Sequence, residues 1–271
     1  MSCYNIEEEQ ITEQQPATPE LLEEYNNQPD VFYVDMTGDI PGISNEALRL
    51  RILDTPGPNN SATKVHREIM NSVIRDQKRS PMILYVMDST KPEDDSDAYL
   101  LENIAQEIAK FGKEAQDRFI FVMNKADELD KDKDGSVLEI VKKRQEYLAR
   151  LGIQSNQIIP VSAQAAKLLR MKQRGEPLSK HDEMKLSWML QDAHLDEASI
   201  LTSTCRAQLE EKRRHAEKNG DETELNLIAT GIIGLELTIN EYLSKYAYPY
   251  KINRAVTNFK RVLQDSSMMT T

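Results

Sequence analysis

The stretch "DRFIFVMNKADELD", residues 117–130, holds five consecutive apolar residues, Phe119 to Met123, followed at once by Asn124, Lys125 and Asp127. A short, continuously apolar run bounded by polar residues reads as a strand buried on both faces of a parallel sheet. Two other runs share that character, "PMILYVMD" (81–88) and "QIIPVSA" (157–163). Between the three lie "DAYLLENIAQEIAKFG" (97–112) and "SVLEIVKKRQEYLARLG" (136–152), whose apolar residues recur at three- and four-residue spacing, as in amphipathic helices. Upstream, "VFYVDM" (31–36) and "LRLRILD" (48–54) read as neighbouring strands, and "ATKVHREIMNSVIRDQ" (62–77) as a helix. Strands alternating with helices predict a doubly wound α/β domain.

Past residue 163 the strands stop. "AQAAKLLRMKQRG" (163–175), "LSKHDEMKLSWMLQDA" (178–193), "ILTSTCRAQLEEKRRHAEKNG" (200–220) and "GIIGLELTINEYLSKYA" (231–247) all read as helices, with "INRAVTNFKRVL" (252–263) a further one. Residues 1–30, rich in Glu, Gln, Asn and Pro, read as an acidic, flexible lead-in. The predicted organisation is that lead-in, a main domain over 31–246 with a helical insertion at about 165–225, and the start of a helical bundle at 247–271 with a frayed tail.

The net charge of −11 is confined to one end. Residues 1–48 hold eleven acidic and no basic side chains, while the remainder balances at 34 of each. No basic footprint for nucleic acid follows from that distribution, so nucleic acid is not an expected partner. Two cysteines, Cys3 and Cys205, make no disulfide framework, and the start "MSCYNIEEEQ" lacks the basic and apolar regions of a secretory signal. A cytoplasmic protein is the expectation.

In such a sheet ligands gather at the carboxyl ends of the strands. Three runs end there in residues with a specific use. Asp54-Thr55-Pro56-Gly57 offers a carboxylate for a Mg²⁺-bound water and a backbone N–H for a terminal phosphate. Asn124-Lys125-Ala126-Asp127 offers at Asp127 a carboxylate able to accept two hydrogen bonds from the N1–H and exocyclic amine of guanine. Adenine lacks that donor pair. Lys125 can lay its alkyl stem along the base, Asn124 can tie neighbouring loops together, and the small residues Ser162 and Ala163 let backbone N–H groups approach a base oxygen. Taken singly, each group also has an ordinary reading: a turn, a helix cap, a strand end. Their order and their common position at strand ends favour a nucleotide site.

These groups resemble the switch-II, base-recognition and last base-contacting motifs of Ras-like P-loop GTPases. "LDTPGPNN", "ILYVMD", "DRFIFVMNKADELD" and "GIIGLELTINEYLSKYAYPYKINRAV" are similar, more narrowly, to bacterial dynamin-like GTPases, over roughly residues 31–263. The resemblance implies a Ras-like three-layer sheet with added C-terminal helices, and a Mg²⁺-dependent GTP-hydrolysing domain. Asp54, Thr55, Gly57, Asn124, Lys125, Asp127, Ser162 and Ala163 would contact nucleotide, with Asp54 on Mg²⁺ through water. It also implies self-assembly through the C-terminal helices and contact at a membrane periphery.

One departure is large. No G-x-x-x-x-G-K-[ST] occurs anywhere in the chain. Without that backbone cradle and its lysine, efficient hydrolysis is not expected of this chain alone. The first strand of the Ras-like sheet goes with it, and the sequence predicts the C-terminal part of a longer GTPase. Two alternatives stay open, a catalytically inactive interaction scaffold and one half of a split GTPase. The near-calcium loop "DKDKDGSVLEIV" (130–141) has Val141 where a bidentate Glu is needed, and reads as a solvated loop before a helix. Tyr242, Tyr246, Tyr248 and Tyr250 are expected to pack where the last two helices join.

Overall fold

The computed structural model describes residues 1–5, 7, 9–31, 33–36, 38–44, 50, 52, 71–75, 81–91, 98–154, 157–190, 200 and 203–268. The chain divides into two compact units, Met1–Leu53 and Asp54–Thr271. That boundary falls later than the expected one after residue 30.

The first unit holds regular structure within residues 1–30, the stretch read from sequence as an acidic, flexible or loosely helical lead-in. β1 (Ser2–Tyr4) pairs antiparallel with β2 (Tyr33–Asp35), in register Cys3 to Val34. Helix α1 (Pro19–Asn26) starts at Thr18, whose side chain accepts from the Leu21 N–H, with Pro19 at the first helical position where a missing N–H is harmless. Met1, Cys3 and Tyr25 are buried together, with Leu21, Leu22, Val31 and Val34 packed around them. A three-residue strand is too short to show alternation, so sequence pattern gave no warning of it. Of the expected strand 48–54, Leu50 and Ile52 are described; neither lies in a strand, and Ile52 is 67% exposed.

The second unit carries a three-stranded parallel sheet in the order β3 (Ile83–Asp88), β4 (Phe119–Asn124), β5 (Ile158–Val161). These are the three continuously apolar runs. Phe119 to Met123 are all buried, as expected of a central parallel strand. Register sets Asp88 opposite Asn124 and Asn124 opposite Val161, so the polar ends of neighbouring strands lie side by side.

Helices α2 (Ala98–Phe111), α3 (Lys113–Arg118) and α5 (Val137–Arg150) connect the strands, with a one-turn helix α4 (Lys131–Asp134) between β4 and α5. Leu100, Leu101 and Ile104 of α2, and Val137, Ile140, Val141 and Leu148 of α5, share a core with Tyr85, Phe121, Met123 and Ile158. The Tyr85 and Phe121 rings sit 5.8 Å apart in that core. α5 begins in a capping box, Ser136 and Glu139 each accepting from the other's backbone N–H, which satisfies two donors the helix leaves open. Glu139 is thereby committed to the helix start.

Residues 71–75 are helical, within the expected helix 62–77, and further helices among the described residues are α6 (Ala163–Gln173), α7 (Lys180–Leu190), α8 (Arg206–Asn219), α9 (Glu222–Ala229), α10 (Ile232–Tyr242) and α11 (Tyr248–Met268). α9 is an addition to the sequence reading. α10 and α11 are joined by a π-helical turn, Leu243–Ala247. α6 to α10 enclose a second core around Leu168, Leu169, Met189, Leu209 and Ile228, and α10 packs on β5. Tyr242 is buried and its ring meets that of Tyr246 at 5.3 Å, but Tyr248 and Tyr250 are 42% and 40% exposed. The expectation that all four tyrosines pack at the junction is corrected for those two, because α11 leaves the packed body. No described helix is long and apolar enough to cross a membrane.

Candidate functional site

The carboxyl ends of β3, β4 and β5 converge on one set of loops, through four links. The Ser89 N–H donates to the Asn124 carbonyl at 2.9 Å, continuing the β3–β4 ladder by one rung. The Ser89 hydroxyl donates to the Lys125 carbonyl at 2.6 Å. Asn124 Oδ1 accepts from the Ala163 N–H at 3.1 Å, tying the end of β4 to the start of α6. Lys125 Nζ reaches Asp88 Oδ2 at 2.8 Å. Asn124 thus does what its position suggested: a short amide side chain at a strand end bridges two loops 39 residues apart in sequence.

Lys125 is the sole non-glycine residue with positive φ among the described residues, at +62°. A left-handed backbone costs a non-glycine residue about 1–2 kcal/mol, so surrounding contacts must impose it. The Lys125 carbonyl accepts both the Ser89 hydroxyl and the Glu128 N–H, the latter closing a 3₁₀ turn at Ala126–Glu128. That turn lies beside β5.

Asp127 sits inside the turn and is 6% exposed. Its carboxylate takes no hydrogen bond from any described residue. The Asp127 oxygens are not among the fully buried, unpartnered side-chain atoms, so the carboxylate keeps an open edge from which it can accept donors. Two parallel N–H donors are what such a group accepts best.

Asp88 was not singled out from sequence, and it is the most strongly held acid here. Oδ1 accepts the Thr90 N–H at 3.0 Å and the Thr90 hydroxyl at 2.6 Å, while Oδ2 takes the Lys125 ammonium. Lys91 stands 3.7 Å from the same oxygen. Burial pushes the Asp88 carboxyl up, but these donors outweigh it and hold it at about 2. The same contact raises Lys125 above the usual lysine value. A signal was available: "PMILYVMD" ends in a carboxylate on the same sheet end as Asn124.

Ser162 and Ala163 are corrected in one respect. Their backbone N–H groups were expected to face a base oxygen. Instead the Ser162 N–H donates to the Thr230 carbonyl at 2.8 Å, and the Ala163 N–H to Asn124. The Ser162 hydroxyl caps α6 by accepting from the Ala165 N–H. The cause is the close approach of the α9–α10 turn. Gly231 has φ +76°, and a Cβ there would come within 2.0 Å of the Pro160 carbonyl oxygen. Only glycine lets that backbone lie against β5.

Asp54, Thr55 and Gly57 lie outside the described residues, so their relation to this cluster is not part of the structure. Among the described residues no group of three or more His, Cys, Asp or Glu could hold a metal ion. Comparison with protein-family models, curated proteins and solved structures returns no match for the chain.

Proposed function

We propose that the strand-end cluster is the base-recognition half of a guanine-nucleotide site, in a chain related to the GTP-hydrolysing domain of dynamin-like proteins. The observation that carries the reading is the placement of Asp127: a carboxylate held in the tight turn directly after β4, beside an Asn124 that already fastens the neighbouring loop. Guanine brings the two donors this group lacks. The finer Ras-like fold is part of the same proposal, supported by three parallel strands whose carboxyl ends carry the cluster. Mg²⁺, held through water by Asp54, enters by resemblance alone.

Two charge-assisted hydrogen bonds, each contributing roughly 1.5–3 kcal/mol, favour GDP over ADP by at least about tenfold. Titration of the chain with GDP and with ADP, each with Mg²⁺ and followed by ligand-observed NMR, tests this. Equal binding of the two, or no binding of either, contradicts it. Because the sequence contains no glycine-rich phosphate cradle, no steady GTP turnover is expected from this chain by itself. A split enzyme would restore turnover when a second chain supplies the cradle.

A second reading, a nucleotide-free interaction scaffold, is favoured by one observation. α11 exposes Ile252, Val256, Phe259 and Leu263, each 43–65% accessible, at four- and three-residue spacing along one face. Exposed apolar stripes of this kind mark partner surfaces, among them those of a self-assembling bundle. A pure scaffold keeps partner binding unaltered by Asp127→Asn and shows no preference for GDP.

A further inference from the structure

We propose that Asp88 and Ser89 form a clamp that positions Lys125 against a purine base, Ser89 gripping its carbonyl and Asp88 its ammonium. The inference rests on the nucleotide reading of the cluster and adds to it residues outside the Asn-Lys-x-Asp group. Both come from the end of β3, one strand away from the residue they hold.

The geometry points to a device for orienting a side chain. Lysine has four rotatable bonds and ordinarily samples many rotamers, so ordering it on binding opposes affinity. Here the ordering is done in advance. The backbone is held left-handed through the Lys125 carbonyl, which takes the buried Ser89 hydroxyl at 2.6 Å. The ammonium end is held by Asp88 at 2.8 Å, and Asp88 is itself fixed by two bonds from Thr90. With both ends tied, the alkyl stem between them has fewer rotamers open to it. The Lys125 side chain stays 45% exposed, so it has apolar surface left to cover. A flat base laid on that stem buries CH₂ groups already in place.

The stem has no donors or acceptors, so it cannot tell one purine from another. Base choice belongs to Asp127, and the clamp contributes affinity shared by all purines that enter. The two roles therefore separate experimentally. Asp88→Asn keeps the shape but loses the charge that holds the ammonium. It is expected to weaken GDP binding about three- to tenfold. In an Asp127→Asn background, XDP binding falls by the same factor.

The lysine's part is isolated with Lys125→Met, which keeps an apolar stem and deletes the ammonium. If Asp88 acts through Lys125, adding Asp88→Asn to Lys125→Met changes GDP affinity less than twofold. Thermal unfolding of each variant checks that the fold is retained. Where Asp88→Asn does not fold, Thr90→Val, at an exposed position, removes one donor to Asp88 and is expected to give a smaller loss of the same kind.

The outcomes sort cleanly. GDP binding by the unaltered chain, with Asp88→Asn (or Thr90→Val in its place) indistinguishable from it, overturns the clamp and leaves the nucleotide reading standing. A loss of full size that persists in the Lys125→Met background also overturns the clamp, because Asp88 would then act elsewhere. Absence of GDP binding in the unaltered chain overturns the nucleotide reading and the clamp together.

Discussion

At the scale of single residues, the cluster is an arrangement of charges set by strand register. Because Asp88 stands opposite Asn124, its carboxylate lies one residue from the lysine it holds. Its acidity has a consequence for stability. A carboxyl at about 2 in the folded chain, against an ordinary 3.8, stabilises the fold fully above 3.8. That contribution is lost as pH falls through about 2 and the folded form takes up its proton. The difference in unfolding temperature between the unaltered chain and Asp88→Asn is therefore expected to narrow between pH 3.8 and about 2. A difference that stays constant through that window would show that the Lys125 contact contributes nothing. The place of Asn124 at a strand end was legible in the sequence because it follows directly on an apolar run. Asp88 was not, since Asp-Ser-Thr after a strand reads as a turn and its partner is 37 residues away.

At the scale of elements, the helical half is fixed by a turn laid on β5 and by an ion pair between two of its helices. Gly231 lets the α9–α10 turn lie against β5, where Thr230 takes the Ser162 N–H. Gly231→Ala would meet both a left-handed backbone and a clash with Pro160, at a cost of roughly 2–5 kcal/mol. Urea unfolding reads that loss directly, and a change within about 0.5 kcal/mol would contradict it. Further along, Arg170 of α6 pairs with Glu236 of α10 at 2.5 Å, both largely removed from solvent. Burial pushes the Glu236 carboxyl up despite the arginine beside it. Arg170→Met strands that acid, and a loss of about 3–5 kcal/mol is expected, recovered in part by adding Glu236→Leu. Unfolding free energies of the single and double variants test the pair. The longer helices were legible by period, whereas the short α3, α4 and α9 and the turn through Gly231 were not. Nothing in "GIIG" tells a glycine that permits close approach from one that merely ends a helix.

At the scale of the whole molecule, charge and architecture divide at nearly the same place. The acidic excess ends at residue 48, close to where the first compact unit ends at Leu53, so composition marked that boundary better than the Pro-rich texture of residues 1–30 did. Within the second unit, three parallel strands were readable because each is a run of four or five apolar residues; β4 and β5 are buried along that run, whereas β3 buries Tyr85 and leaves Leu84 and Val86 exposed, contrary to the expectation of a strand covered on both faces. Of the short antiparallel pair of the first unit, β2 lies within the expected strand 31–36, whereas β1 was not legible, because three residues carry no period. The second unit's strand ends hold the proposed preference for guanine. That preference is tested most directly by exchanging GDP for XDP against the unaltered chain and Asp127→Asn, in one competition experiment with Mg²⁺. The asparagine amide donates where the carboxylate only accepts, so the preference is expected to reverse, GDP for the unaltered chain and XDP for the variant. An Asp127→Asn chain that keeps the same order of preference as the unaltered one would contradict the claim.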